Sequence, residues 1–332
     1  MTMRNIFSFT AILMTTVFLS CAQKGEEVKT AKGEPESTPQ ESLLPSVKIP
    51  EFSKDSAFDY IVRQCEFGPR VPNTTAHEQC AEYLLNKLKS FGADVTGQKF
   101  TATAYDGTKL NSTNIIGSFF PDKGRRIILF SHWDSRHICD QDAPEFRDKP
   151  VMGANDGASG VGVLLELARL LQQQQPNVGV DIVFLDSEDY GDPSSSTEDS
   201  WCLGSQYWAN NPHYKRVPQY GILLDMVGGE DPFFAVEATG LRFNTKAISD
   251  KVWGFARSFG FPQFKDQVGG QIIDDHVYVN LIAKIPTIDI IDFSPERGFP
   301  STWHTHNDTP EHISKTTLDA VGKVITNLIY RE

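Results

Sequence analysis

Hydrophobic positions along the chain keep two rhythms. Near-continuous apolar runs of strand length occur in RRIILFSHWDS (125–135), VGVDIVFLDSED (178–189), YGILLDMVG (220–228) and KIPTIDIIDFS (284–294), and NSTNIIGSFF (111–120) reads as a further strand. Between these runs, apolar residues recur at helical spacing. In TAHEQCAEYLLNKLKSFGA (75–93) they are Cys80, Leu84, Leu88 and Phe91, and Gly92 follows as a C-terminal cap. DGASGVGVLLELARLLQQQ (156–174) carries apolar residues on nearly every turn, and TKAISDKVWGFARSFG (245–260) and SKTTLDAVGKVITNLIY (314–330) are further helices. Strands buried on both faces and alternating with helices predict one α/β domain. Its central sheet is twisted and mostly parallel, with helices on both faces.

In such sheets the ligand site lies at the carboxyl ends of the strands. Several polar residues stand where the apolar runs stop. They are His132 and Asp134 in SHWDS, Glu188 and Asp189 in DSEDY, and Asp225 after GILL. Strand TIDII carries Asp289 and is followed by STWHTHNDT with His304 and His306, while MGANDGASG sets Asp156 just before the long helix. Taken singly, Asp156 is a helix cap, His304 a hydrogen-bonded surface histidine, Asp225 a turn residue and the acids after Leu185 a solvated loop. Those readings predict no common location. The strand-end rule instead brings His132, Asp156, Asp189, Asp225 and His304 to one edge. Imidazole and carboxylate ligands without a thiolate suit catalytic zinc with an open position. Glu188 and Asp189 are adjacent, so on an extended segment they point apart, one free to bind metal and the other to act as a base.

Composition and charge narrow the partners. The chain has 332 residues, 39% hydrophobic and 22% charged, with a formal net charge of -12 and no basic stripe. Nucleic acid and a broad anionic membrane surface are therefore poor partners, and peptides with a free amino terminus are better ones. Residues 1–21 read as a targeting segment: Arg4, an apolar stretch from Ile6 to Leu19, then VFLSC, which resembles a bacterial lipoprotein signal with Cys21 lipidated. A plain secretory signal is the alternative. Residues 22–50, polar and rich in Pro and Glu, read as a tether, leaving 51–332 as the catalytic domain. An exported, periplasmic, lipid-anchored monomer is expected. Cys65, Cys80, Cys139 and Cys202 allow three disulfide pairings or stay as free buried thiols.

SHWDS, GANDGASG, DSEDY, LLDMVG and WHTHNDT, in this order and at these separations, resemble the zinc aminopeptidases of the M28 type. They resemble still more the glutaminyl-peptide cyclotransferases that share that fold. The likeness covers roughly residues 55–330. QIIDDHVYV is similar to the cyclase segment that carries a proton-transfer acid, which makes that acid Asp274. WHT puts Trp303 beside the ligand histidine, as in cyclases. Trp201 stands in the loop where they carry another pocket tryptophan, though core packing accounts for either ring. Animal cyclases have Glu-Glu where this chain has Glu188-Asp189, and His where it has Asp289. Both departures suit a bacterial-type enzyme.

The resemblance implies one zinc held by Asp156, Asp189 and His304. Glu188 would be the general base and acid, Asp225 and Asp274 would share a proton nearby, and Trp201, Trp303 and Asp289 would contact substrate. The substrate would be a peptide or protein with N-terminal glutamine, and the products pyroglutamate and ammonia. The first rival is a dizinc aminopeptidase, in which His132 and Asp225 hold a second zinc. The second is a catalytically silent binding lipoprotein on the same fold.

Overall fold

The computed structural model describes residues 48–194 and 198–332. The leader and nearly all of the tether lie outside the described residues. The helices are α1 (Lys54–Cys65), α2 (Thr75–Ser90), α3 (Ala158–Gln173), α4 (Leu203–Asn210), α5 (Lys246–Phe259), α6 (Asp275–Tyr278) and α7 (Lys315–Tyr330). The strands are β1 (Asp94–Thr103), β2 (Lys109–Phe119), β3 (Arg126–His132), β4 (Gly179–Leu185), β5 (Gly221–Asp225), β6 (Phe234–Val236), β7 (Phe264–Val268) and β8 (Thr287–Ile291).

The main sheet runs β1-β2-β4-β3-β5-β8. β4, β3, β5 and β8 are mutually parallel, and β2 and β1 complete the sheet antiparallel. Every residue of β3, β4, β5 and β8 is buried, which is why these strands read as unbroken apolar runs. β1 is an edge strand with most residues exposed or half-buried, and its polar pattern DVTGQKFTAT gave no strand signal. One layer of core packs α1, α2, α3, α5 and α7 against the sheet through residues such as Ile61, Leu88, Leu164, Val252 and Val324. Trp208 of α4, with Phe130, Val183, Leu223 and Val279, fills the other face.

α3 begins where the site begins. Gly157 holds φ +94°, and a Cβ there would lie 2.5 Å from the Asp134 carbonyl oxygen. Only glycine makes that turn at that approach, and it sets the preceding Asp156 against the tip of β3. Further along, a Cβ at Gly160 would sit 2.3 Å from the Leu224 carbonyl oxygen, so α3 lies hard against β5. α2 closes as its sequence suggests, with Phe91 as the cap residue and Gly92 at φ +86° after it. Cys65, Cys80, Cys139 and Cys202 are all buried and free, which removes the disulfide alternatives. Among the described residues no helix is long and apolar enough to cross a membrane.

Candidate metal and proton-transfer site

β3, β4 and β5 end side by side, and the loops that leave them converge on one cavity of about 360 Å3. Its wall includes Asp156, Glu188, Asp189, Asp225, Asp274, Trp201, Trp303 and His304, and among the described residues no Lys or Arg lines it. Two buried aspartates fix the backbone that carries the site. Asp134 accepts from the N–H groups of Glu188 and Asp189, each at 3.1 Å. Asp308 accepts from Asn155 N–H at 2.7 Å and Asp156 N–H at 3.0 Å. Four non-glycine residues around the cavity hold left-handed backbone: Ser187 (φ 56°), Cys202 (φ 57°), Met226 (φ 47°) and His304 (φ 54°). Strain of that kind persists where the surrounding structure over-determines it.

Asp156, Asp189 and His304 bring one ligand atom each within 4.8 Å of the others. His304 Nε2 lies 3.1 Å from Asp189 Oδ1 and 3.6 Å from Asp156 Oδ2. Its Nδ1 faces Asp140 Oδ1 at 3.0 Å, a partner that orients the ring. Asp156 Oδ2 and Asp189 Oδ2 are buried without a hydrogen-bond donor. The neighbouring Arg136 turns Nη1 to the backbone oxygens of Asp189 (2.8 Å) and Gly191 (2.9 Å). Two carboxylates and an imidazole with unused lone pairs fit a zinc ion. Burial alone would lower the His304 pKa, but Asp189 and Asp140 outweigh it and raise it to about 9. A cation bound there would therefore displace a proton.

A second group shares Asp156. His132 Nε2 lies 3.0 Å from Asp156 Oδ1 and 3.1 Å from Asp225 Oδ1, and these three residues also fall within 4.8 Å of one another. The third group is acidic. Glu188, Cys202 and Asp274 meet within the same distance. Burial raises Glu188 well above the usual carboxylate range; His132 pulls it back, and Asp189, Asp274 and Asp275 push it further up. Burial also raises Asp225, to about 7, against the pull of His132. Asp274 is raised mainly by burial, and Asp289, raised mainly by burial, is pushed further up by Asp274. Acids this close cannot all ionise together.

Two rings flank His304. Trp303 stacks on His304 with centroids 3.9 Å apart, and Trp201 lies nearly parallel to it at 6.1 Å. Trp201 is wedged between Arg136, 4.4 Å over its ring, and Gly191, where a Cβ would come within 2.0 Å of the indole. Asp289 is the exception among the residues assigned to substrate contact. It stands mid-strand, paired with Leu223, and is fully buried behind Asp274 rather than lining the cavity. His306 also lies outside the site, paired with Asp142 and stacked on Phe146. Sequence reasoning missed Asp140, Arg136, Asp308 and Asp275. Arg136 and Asp140 sit just beyond SHWDS, in a loop whose pattern carries no ligand signal.

The model of peptidase family M28 matches residues 114–329. The glutaminyl-peptide cyclotransferase of Bos taurus is 27% identical over 295 residues, covering 77% of this chain and 76% of that protein. The solved glutaminyl cyclase of Bacteroides thetaiotaomicron is 51% identical with a TM-score of 0.84, covering 86% of this chain and all (100%) of the other. A structure described as a leucine aminopeptidase precursor from Bacteroides thetaiotaomicron is 50% identical with a TM-score of 0.83, covering 86% of this chain and 99% of that one. The chain belongs to peptidase family M28, and within it to the bacterial glutaminyl cyclase type.

Proposed function

We propose that this chain is a zinc-dependent glutaminyl-peptide cyclotransferase, an acyltransferase that converts N-terminal glutamine of peptides and proteins to pyroglutamate with release of ammonia. One observation carries the reading. Glu188 meets Asp274 on one side and adjoins the Asp156–Asp189–His304 group on the other, inside one tryptophan-flanked cavity. The cyclotransferase likeness of several relatives supports the same reaction.

A zinc ion held by Asp156, Asp189 and His304 would supply Lewis-acid polarisation of the side-chain amide carbonyl. The chain's own residues do the rest. Glu188 accepts a proton from the substrate α-amine as its nitrogen bonds to the side-chain amide carbon. Glu188 then returns that proton to the amide nitrogen as the old C–N bond breaks and ammonia leaves. Asp225 and Asp274 hold or share protons beside Glu188, which keeps it able to cycle between its two forms. Trp201 and Trp303 restrict the glutaminyl side chain and exclude water that would hydrolyse the amide. Nucleophile and electrophile belong to one residue, so positioning supplies much of the rate. The acidic wall, with no Lys or Arg among the described residues that line it, suits a substrate presented by its amino group.

The sharing of Asp156 between the His304 and His132 groups favours a second reading, a dizinc aminopeptidase with the second ion on His132 and Asp225. Ammonia release from a glutaminyl peptide, with chelator and after zinc is restored, separates them. The cyclase forms ammonia and a blocked amino terminus, whereas the peptidase forms a free amino acid. We propose further that the protein is exported and anchored to a bacterial membrane through lipidated Cys21. A Cys21→Ala chain should then move to the soluble fraction; one that stays with the membrane contradicts the anchor.

A further inference from the structure

Cys202 precedes α4 and is fully buried, yet its backbone is left-handed, φ 57°. A non-glycine residue there is strained, and its contacts supply a reason. Cys202 N–H donates to the Glu188 carbonyl oxygen at 2.9 Å, and Leu203 N–H to the Ser187 carbonyl oxygen at 3.0 Å. The start of α4 is thus stitched to the turn that follows β4. From that fixed backbone the Cys202 thiol donates to Glu188 Oε1 at 3.1 Å. Among the described residues no other side chain hydrogen-bonds the Glu188 carboxylate, so its other oxygen is the one left for substrate protons. Ser205 Oγ in turn donates to the Cys202 carbonyl oxygen at 3.0 Å, holding the cysteine from the helix side.

We propose that Cys202 is a positioning residue for the cyclisation, its thiol holding Oε1 of Glu188 so that Oε2 faces the substrate amine. The inference rests on the cyclotransferase reading, in which Glu188 moves the proton. Burial, and after it the nearby carboxylates, keep the thiol protonated, so it serves as a donor rather than as a nucleophile or metal ligand. A thiol is a weak donor, and that suits the task. It fixes a rotamer without opposing the proton that Glu188 must take up and release.

The test compares Cys202→Ser with Cys202→Ala. Both shrink the side chain by nearly the same volume and keep the same backbone strain, but only serine keeps a donor. The readouts are kcat and KM for ammonia release from a glutaminyl peptide, zinc content and thermal unfolding. Cys202→Ala should lose roughly tenfold in kcat, the effect of about 1.4 kcal/mol, with KM and zinc unchanged. Cys202→Ser should recover most of that loss. Should the alanine chain fail to fold, Cys202→Gly takes its place, since glycine relaxes the left-handed backbone. Equal losses in the serine and the donor-free variants would reduce Cys202 to packing and overturn the inference, as would wild-type kcat in both. Glu188→Gln in the same assay keeps the two ideas apart. If that variant cyclises normally, the role of Glu188 fails. If it is inactive while every Cys202 variant is normal, only the positioning role fails.

Discussion

The two ends of β4 each bury acid beside a cavity of about 360 Å3, and they treat it in opposite ways. Near its start, Asp181 receives Arg126 Nε at 2.9 Å and Nη2 at 2.5 Å, and Ser118 Oγ at 2.6 Å. Burial pushes the Asp181 carboxyl up, but His213, Arg126 and Ser118 outweigh it and the net shift is downward. Just past its far end, Glu188, Asp189, Asp225, Asp274 and Asp289 crowd together, and burial raises all of them. The histidines there, His132 beside Asp225 and His304 beside Asp189, are fewer than the acids, and Arg136 turns its hydrogen bonds to Asp140 and to backbone carbonyls. A buried acid with a built-in partner is structure. Buried acids that outnumber their partners call for a cation or protons from outside the chain, and those are what the proposed reaction uses.

Substitutions at the two ends should separate accordingly. The largest effect is expected at a zinc ligand. Asp189→Ala should lose bound metal and at least roughly 10³-fold in rate, since Lewis-acid polarisation is worth several kcal/mol. Asp181→Ala should keep its zinc, as metal analysis will report. Glu188→Gln should follow, losing ~10²-fold or more in kcat, the scale of general acid–base catalysis, with stoichiometric zinc retained. An active Glu188→Gln enzyme would remove Glu188 from the mechanism. At the other end, Arg126→Leu takes the guanidinium from Asp181, leaving only Ser118 and His213 beside it, and should cost ~3 kcal/mol in denaturant unfolding, with zinc content unchanged. An unaltered unfolding midpoint would mean the pair is not what neutralises Asp181.

The smallest effect is expected at Asp289. Burial raises its folded-state pKa above that of the unfolded chain, so the folded protein holds the proton longer. Stability without metal should therefore fall as pH climbs from about 4. Asp289→Asn removes that contribution and should raise the melting temperature of the metal-free protein at neutral pH. A lower melting temperature with the same pH slope would count against an uncompensated acid there.

How far the sequence could be read follows the same division. β3, β4, β5 and β8 were legible because strands buried on both faces must be apolar throughout, and the polar residues that end them then stand out. β1 was not, since its exposed edge carries no such pattern, and α4 is only eight residues long. Asp289 was drawn into the site by the resemblance, which sets it where animal cyclases carry a histidine. It lies two residues short of the tip, and at about 3.3 Å per residue that sets it below the cavity floor. Asp134 and Asp308 hold the site by accepting from backbone N–H groups. Contacts of that kind exist only in the folded chain and leave no mark on residue spacing. Cys202 carried a sequence signal of the wrong kind, as a disulfide candidate; its thiol meets Glu188 instead.

The most direct test is a metal count on the purified protein by plasma emission, run beside product analysis on a glutaminyl peptide. One zinc per chain, with ammonia released and the peptide's amino terminus blocked as pyroglutamate, is the expected result. Two zincs per chain, with free amino acid released and no ammonia, would contradict the cyclotransferase reading.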